Sequence, residues 1–103
     1  MGKLTEKEAK ELKSKFGKLL RVTLKEADGK ESEDFVFKQP DMKTISAAAM
    51  FEQSDPVRSS QIVFNDCIVF GDKEAANDPE RFLAISPKLS GLVKIRSAEV
   101  GEL

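Results

Sequence analysis

The sequence predicts a single α+β domain with an N-terminal helix, a two-stranded antiparallel hairpin, and then three helices packed as a small helical domain. Three observations support this class. Apolar residues recur with the helical period of about 3.6 in four segments, and they alternate with period 2 in two shorter segments. Asp and Pro also mark the starts of the last three helices. A length of 103 residues suits one hydrophobic core, so we expect residues 1–103 to form one domain.

Composition favours a folded protein without a nucleic-acid surface. Hydrophobic residues make up 40% of the chain and charged residues 34%, which is ordinary for a globular domain. The formal net charge is −1, and the 17 basic residues are interspersed with 18 acidic ones. Since phosphate backbones bind clustered Lys and Arg, we expect no nucleic-acid partner. All seven aromatic residues are Phe, and a hydrophobic core explains them more simply than base stacking does.

The residue types that common catalytic sites require are missing. Histidine is absent and cysteine occurs once, as Cys67, which excludes His-activated nucleophiles and a Cys/His metal site. The six glycines are scattered and form no phosphate-binding loop. The acidic pairs Asp66/Asp72 and Asp28/Asp34 fall in or beside loops and charged faces, where we expect solvated carboxylates. We predict a binding protein that is not an enzyme and holds no metal or cofactor.

The sequence indicates neither a secretion signal nor a membrane span. Residues 1–18 are charged throughout and lack the apolar stretch of a signal peptide. No run approaches the roughly 18 apolar residues that a membrane-spanning helix needs. We therefore expect a cytoplasmic protein without a membrane partner.

The first helix is predicted from its capping residues. Thr5 and Glu8 have the spacing of a capping box, and Gly17 is suited to end the helix. Lys and Glu cover most of the surface, so the apolar stripe is narrow and consists of Ala9, Leu12 and Phe16. We expect this helix to dock at the periphery of the domain.

The hairpin is predicted from a change of period. Its first strand presents one apolar face, formed by Leu20, Val22 and Leu24. Ala27-Asp28-Gly29-Lys30 is a turn signal, and Phe35-Val36-Phe37 is a second short strand. We expect a loop of about six residues between the strands. Because an isolated hairpin is marginally stable in water, the apolar face should rest on helices.

The second helix is predicted to begin after an Asp41 N-cap and to run from Met42 to about Glu52. Phe51 falls on one side of its helical wheel together with Ala47. The other side is formed by Met42, Ile45, Ala48 and Ala49. An interior helix packed on both sides and a dedicated binding face both explain this pattern, and the interior helix is the simpler explanation.

The third helix begins at Asp55-Pro56, an N-cap followed by proline in the first turn. Its main apolar stripe consists of Val57, Phe64 and Ile68, broadened by Val63, Cys67 and Phe70. Ile62 and Val69, seven residues apart, form a second apolar edge on the other side. Either this helix is central and covered all round, or Ile62 and Val69 are open to a partner.

The fourth helix begins at Asp78-Pro79, after a short polar loop over Gly71 to Asn77. Its apolar stripe consists of Phe82, Ile85, Leu89, Leu92, Val93 and Val100. The stripe keeps its phase across Pro87, which indicates one kinked helix, although Ser86-Pro87 could equally cap a new one.

Several short motifs follow one another in order over nearly the whole chain, from about residue 10. They are Lys18 to Leu24, Phe37-Lys38-Gln39-Pro40-Asp41, Thr44-Ile45-Ser46-Ala47-Ala48, Asp55-Pro56, Asn65-Asp66-Cys67, Gly71-Asp72-Lys73-Glu74 and Phe82-Leu83-Ala84-Ile85. In this order they resemble a family of small phage and prophage proteins associated with tail assembly chaperones. The chain departs from that family at Ser86-Pro87 and in the lysine-free ending Gly101-Glu102-Leu103.

The resemblance implies a non-catalytic role in tail morphogenesis, in which many copies coat the helical tape-measure protein and recruit tail-tube subunits. Such a coat requires weak apolar contacts with the tape measure and contacts between copies, so self-association is compatible with it. The candidate partner-binding residues are Phe51, Ile62 and Val69. The alternatives are an unrelated interaction adaptor or structural subunit of a mobile element, and then a catalytic or nucleic-acid-binding protein.

Overall fold

The computed structural model describes residues 3–25, 29, 31–89, 92 and 98–103. Within these residues, four α-helices and a three-stranded antiparallel sheet confirm the predicted α+β class. A helix comes first, the hairpin second and the remaining helices last, as predicted. The order is α1 (Glu6–Phe16), β1 (Leu19–Lys25), β2 (Glu31–Lys38), α2 (Met42–Ala49), α3 (Pro56–Cys67), β3 (Ile68–Phe70), a short 3-10 helix (Lys73–Asn77) and α4 (Pro79–Leu89).

The helices begin at the predicted capping residues. The Thr5 hydroxyl accepts a hydrogen bond from the Glu8 N–H, and the Glu8 carboxylate accepts one from the Thr5 N–H, both at 3.1 Å. Asp41, Asp55 and Asp78 accept hydrogen bonds from N–H groups in the first turns of α2, α3 and α4. The N–H groups of the first turn have no acceptor within their own helix. A side chain two or three residues earlier in the chain supplies that acceptor, and its position fixes where each helix starts.

The sheet contains a third strand that the sequence analysis did not predict. α3 ends at Cys67 and the chain continues directly into β3, where Ile68 pairs with Phe37 and Phe70 pairs with Val36. The prediction that the helix continues through these residues is wrong. By periodicity alone, a short apolar run of this kind fits both a helical stripe and a buried strand. The strand forms here because the edge of β2 that faces away from β1 has backbone N–H and C=O groups free to pair, and Ile68–Phe70 pairs with them.

The inner face of the sheet carries the hydrophobic core. Phe35 and Phe37 of β2 are fully buried there, and the ring centroid of Phe64 in α3 lies 6.3 Å and 5.3 Å from theirs. The hairpin rests on helices as predicted, since Val22 is buried and its apolar neighbours in β1 pack against the core. The other core residues are Cys67, Ile68, Ala75, Ala76, Phe82, Ile85, Leu89 and Leu92.

α4 passes through Pro87 and ends at Leu89, so the helix is continuous across Pro87 and no new helix begins at Ser86-Pro87. Its stripe is buried as expected at Phe82, Ile85 and Leu89. Val100, however, is fully exposed and does not extend the stripe. Val93 lies outside the described residues.

Only one of the two predicted loops, the segment from Gly71 to Asn77, lies entirely within the described residues. The hairpin turn signal includes Ala27, Asp28 and Lys30, which lie outside the described residues, whereas Gly29 has a φ of 86°. The segment predicted as a polar loop after β3 forms the 3-10 helix and buries two alanines in the core, Ala75 and Ala76.

α1 lies over the outer face of the sheet, which gives the domain three layers. The Leu4 N–H, just before α1, donates a 2.8 Å hydrogen bond to Asp34 of β2. At the other end of the helix, the Lys38 ammonium lies 6.0 Å from the centroid of the Phe16 ring. None of the residues in α1 is buried, in agreement with the predicted peripheral docking.

Asp34 is buried in the outer face, which contradicts the expectation of a solvated carboxylate. Its side chain is 1% exposed and accepts hydrogen bonds from Leu4 N–H, from the Thr23 hydroxyl at 2.8 Å and from the Arg21 guanidinium at 3.0 Å. Burial opposes ionisation of the carboxyl, but these hydrogen bonds outweigh burial and lower the pKa of Asp34. The carboxylate therefore joins the start of α1 to both long strands.

Substituting Asp34→Asn should flatten the dependence of stability on pH. Because the pKa in the folded protein lies below the unfolded value of about 3.9, Asp34 stabilises the fold above about pH 4, and this stabilisation is lost as the pH falls through the folded-state pKa. We expect the variant to lose about 1–3 kcal/mol at pH 7. Its melting temperature should also fall less steeply than that of the wild type between about pH 5 and 2, measured by circular dichroism. Glu11→Gln on exposed α1 is the control, and a wild-type slope in Asp34→Asn would contradict the assignment.

Candidate docking groove

α2 and α3 form an antiparallel pair that is held together along its length. The Thr44 hydroxyl near the start of α2 donates a 3.1 Å hydrogen bond to Asp66 near the end of α3. Farther along, the Ser59 hydroxyl donates a 2.7 Å hydrogen bond to the carbonyl of Ala48. Serine at this contact is small enough for the two backbones to approach closely. The two hydrogen bonds therefore fix the relative position of α2 and α3, which form one side of a site.

The turn between α2 and α3 is fastened by an aromatic contact. The Arg58 guanidinium lies 4.6 Å from the centroid of the Phe51 ring. Such cation–π contacts contribute about 0.5–1 kcal/mol at exposed positions. Phe51, predicted as a partner-binding residue, is half-buried, and one face of its ring is already occupied by Arg58.

A groove of about 500 Å³ separates the α2–α3 pair from the end of α4. Most of its lining side chains are small, so the facing helices do not fill the space between them. Glu52, at its rim, is the one charged side chain among the described residues that line it. These residues are Ile45, Ala48, Ala49, Glu52, Pro56, Ser59, Ser60, Val63, Ser86 and Leu89.

The apolar side of α2 lines this groove instead of packing in the interior. Ile45 is half-buried, Ala49 is exposed, and Met42, on the same face, is 74% exposed. Met50, which follows the helix, is 77% exposed. The interpretation of α2 as an interior helix packed on both sides is therefore wrong, because only Thr44 and Ala48 of the helix are buried. The predicted length is also wrong, since the helix ends at Ala49 rather than near residue 52.

The three predicted partner-binding residues lie in three different elements of the fold. Phe51 lies in the turn after α2, Ile62 lies in α3 and Val69 lies in β3. All three are half-buried, and none lines the groove. The predicted helical edge of Ile62 and Val69 does not exist, because α3 ends at Cys67. Their role in binding stays a prediction.

The groove could have been found from a signal in the sequence. Ser60 and Ser86 are small polar residues on the sides of α3 and α4 that line the groove. Small residues opposite the apolar side of α2 leave space that the described residues lining it do not fill.

A cluster of charged side chains holds the start of α4, at a distance from the groove. The Arg81 Nε donates to Asp78 at 2.7 Å, and its Nη1 donates to Asp72 at 2.9 Å and to Glu33 at 3.0 Å. The hydrogen bond from Arg81 is the largest cause that lowers the pKa of Asp78, whereas the Glu74 N–H and then Arg81 lower the pKa of Asp72. The cluster joins β2, the 3-10 helix and α4.

Cys67 is fully buried in the core. Burial, and then the charge of Asp66, raises the pKa of its thiol to about 11, so the thiol stays protonated at neutral pH. Across the part of the chain that the structure describes, no three His, Cys, Asp or Glu side chains are grouped as metal ligands. Over the same residues, no helix has the length and apolar content needed to span a membrane.

Comparison with known proteins identifies a shared fold. No family model matches this chain, and no curated protein matches it significantly. The solved structure of an uncharacterised protein from Bacillus stearothermophilus matches with a TM-score of 0.64 and 24% sequence identity. The match covers 91% of this chain and 99% of that one, so the same fold makes up almost all of the Bacillus chain. At this identity, the likeness establishes the fold alone.

Proposed function

We propose that this chain is a non-catalytic binding protein that takes up an apolar helical segment of a protein partner in the groove between the α2–α3 pair and α4. The observation that carries this proposal is the open apolar side of α2. Ile45 and Ala49 line a groove of about 500 Å³, and Met42 extends the same face to the solvent. Covering this face with an apolar partner would remove its side chains from water.

The shape and chemistry of the groove suit a helix better than a small polar molecule. Helix-in-groove recognition uses anchors spaced three and four residues apart on one side of the partner helix, which is the geometry that two flanking helices accept. Exposed methionines such as Met42 and Met50 adapt to differently shaped apolar side chains. A binding site with these properties tolerates a repeated partner sequence that varies in detail.

The resemblance to tail assembly chaperones suggests the partner. In that role, the chain would bind the long helical tape-measure protein in the cytoplasm, keep it from aggregating and recruit tail-tube subunits. Each groove could bind the tape measure weakly and the coat would still be stable. When neighbouring copies also contact one another, the overall affinity exceeds that of any single groove.

The test is co-expression with the tape-measure protein of the same genetic element. We expect the tape measure to become soluble and to co-purify with many copies of this chain. Ala49→Trp places a large side chain in the groove from an exposed position and should weaken capture about tenfold or more, which corresponds to about 1.4 kcal/mol or more of binding free energy. Ser46→Trp, on an exposed part of the same helix that does not line the groove, should leave capture unchanged.

Other outcomes would contradict specific parts of the proposal. If Ile62→Asp and Val69→Lys abolish capture while Ala49→Trp does not, the partner binds outside the groove. If the tape measure still precipitates while this protein stays soluble and alone, the phage-tail role is wrong. The alternative of an interaction adaptor in a mobile element would then be the better explanation.

A further inference from the structure

A crevice of about 200 Å³ lies between α1 and the outer face of the sheet. Its lining is largely apolar, and Val36 of β2 within it is only 2% exposed, so part of the crevice is well shielded from water. An apolar cavity of about 150 Å³ can hold a benzene molecule, so an apolar group of that size fits here. The apolar side chains that line the crevice are Leu4, Ala9, Leu12, Leu19 and Val36.

Two positively charged side chains, Lys13 and Arg21, complete the lining among the described residues. The Arg21 Nη2 donates a 3.0 Å hydrogen bond to the buried Asp34 carboxylate, which also accepts hydrogen bonds from the Thr23 hydroxyl and the Leu4 N–H. These contacts fix the guanidinium beside the crevice. Arg21 is nevertheless 52% exposed, and a guanidinium carries several N–H donors, so it can bind a second acceptor at the same time.

The positive charge at the crevice is only partly balanced. Asp34 balances the charge of Arg21, whereas Lys13 forms no ion pair within the described part of the chain. No acidic side chain is among the described residues that line the crevice. One positive charge therefore remains beside an apolar surface, and a molecule with a single negative charge and an apolar body complements both.

We propose that this crevice binds a small apolar carboxylate, with an apolar group of about six carbon atoms. The apolar group lies between Leu12 and Val36, and the carboxylate accepts hydrogen bonds from Arg21 and pairs with Lys13. Hydrogen bonds between a guanidinium and a carboxylate are stronger than those between neutral groups. The crevice and the groove share no lining residue, so this inference does not depend on the proposed function.

Titration with hexanoate, followed by amide chemical shifts in NMR spectra of the full chain, tests the site. We expect saturable shifts at Leu12 and Val36 with a dissociation constant of about 1 mM, as suits so small a ligand. Hexan-1-ol has the same chain without the charge, and acetate has the charge without the chain. Both should bind at least about fivefold more weakly than hexanoate, because each satisfies only half of the site.

Two substitutions separate the charge from the apolar lining. Lys13→Glu should weaken hexanoate binding at least about fivefold and leave hexan-1-ol binding unchanged, because only the carboxylate meets the reversed charge. Lys7→Glu is the matched control, since Lys7 is an exposed residue of α1 that does not line the crevice. Ala9→Leu fills the crevice and should weaken binding of both molecules about tenfold.

Three results would each overturn the proposal. The first is the absence of saturable shifts at Leu12 and Val36 with hexanoate. The second is equal affinity for hexanoate and hexan-1-ol, which would show that the positive charges do not contribute. The third is an equal effect of Lys13→Glu and Lys7→Glu, which would assign the loss to the net charge of the protein and not to the crevice.

Discussion

Replacing Gly71 with alanine is expected to destabilise the protein by about 3 kcal/mol or more, because strain and overpacking act at the same position. Gly71 has a φ of 118°, a conformation that L side chains rarely adopt. An added Cβ would also lie 2.7 Å from Cδ1 of Phe35 and 3.0 Å from the carbonyl oxygen of Asp34. Phe35 is fully buried in the core and cannot move aside cheaply.

Alanine substitutions at two other glycines distinguish backbone strain from overpacking as causes of the lost stability. Gly29→Ala adds the same methyl group at a positive φ with no atom within 4 Å, so it should cost about 1 kcal/mol through the backbone alone. Gly101→Ala meets neither restriction and should stay within about 0.5 kcal/mol of the wild type. Urea unfolding of the three variants measures these differences, and equal losses for Gly71→Ala and Gly29→Ala would contradict the close approach to β2.

The helix starts could be predicted because they depend on neighbouring residues. Thr5 with Glu8 at α1, and Asp55 at α3, satisfy N–H groups within the next three positions. The capping signal therefore remains valid whatever the tertiary structure is. The same holds for Asp41 at α2, where a 2.8 Å hydrogen bond to the Thr44 N–H also lowers the pKa of the Asp41 carboxyl.

The third strand could not be predicted because it depends on a distant partner. Ile68 and Phe70 pair with residues of β2 more than thirty positions earlier. Ile68–Phe70 has the β-branched and aromatic residues typical of a strand, but periodicity alone does not distinguish so short an apolar run from the end of a helix. Gly71, directly after it, falls in the predicted polar loop, but its lack of a side chain is what allows β3 to end against Phe35.

The candidate groove was only partly predictable. The wheel of α2 correctly placed Met42, Ile45 and Ala49 on one face, but an apolar face predicts burial without saying what buries it. Among the described residues, the side chains opposite α2, such as Ser60 and Ser86, are too small to fill the groove. Whether two helices pack closely depends on their relative positions in the fold, and the hydrophobic periodicity of each helix does not predict those positions.

Replacing Phe64 with alanine should be about as damaging as changing Gly71, for a different reason. Phe64 is fully buried at the centre of the core, where its ring contacts those of Phe35 and Phe37 from the sheet and lies 6.4 Å from that of Phe82 in α4. Phe-to-Ala substitutions at such sites cost about 3–5 kcal/mol, since a cavity adds to the lost burial. For a domain of this size, the melting temperature should fall by roughly 10 °C or more.

Leu83→Ala is the control for this substitution. Leu83 also lies in a helix and is also truncated to a methyl group, but it is 69% exposed, so its loss should change the stability by less than about 0.5 kcal/mol. The two variants differ mainly in the burial of the side chain that is removed, and thermal unfolding followed by circular dichroism compares them directly. If Phe64→Ala melts at the same temperature as Leu83→Ala, Phe64 does not join the sheet to α4. The packing of the sheet, α3 and α4 around this ring would then be wrong, because no other single side chain among the described residues has ring contacts with both β2 and α4.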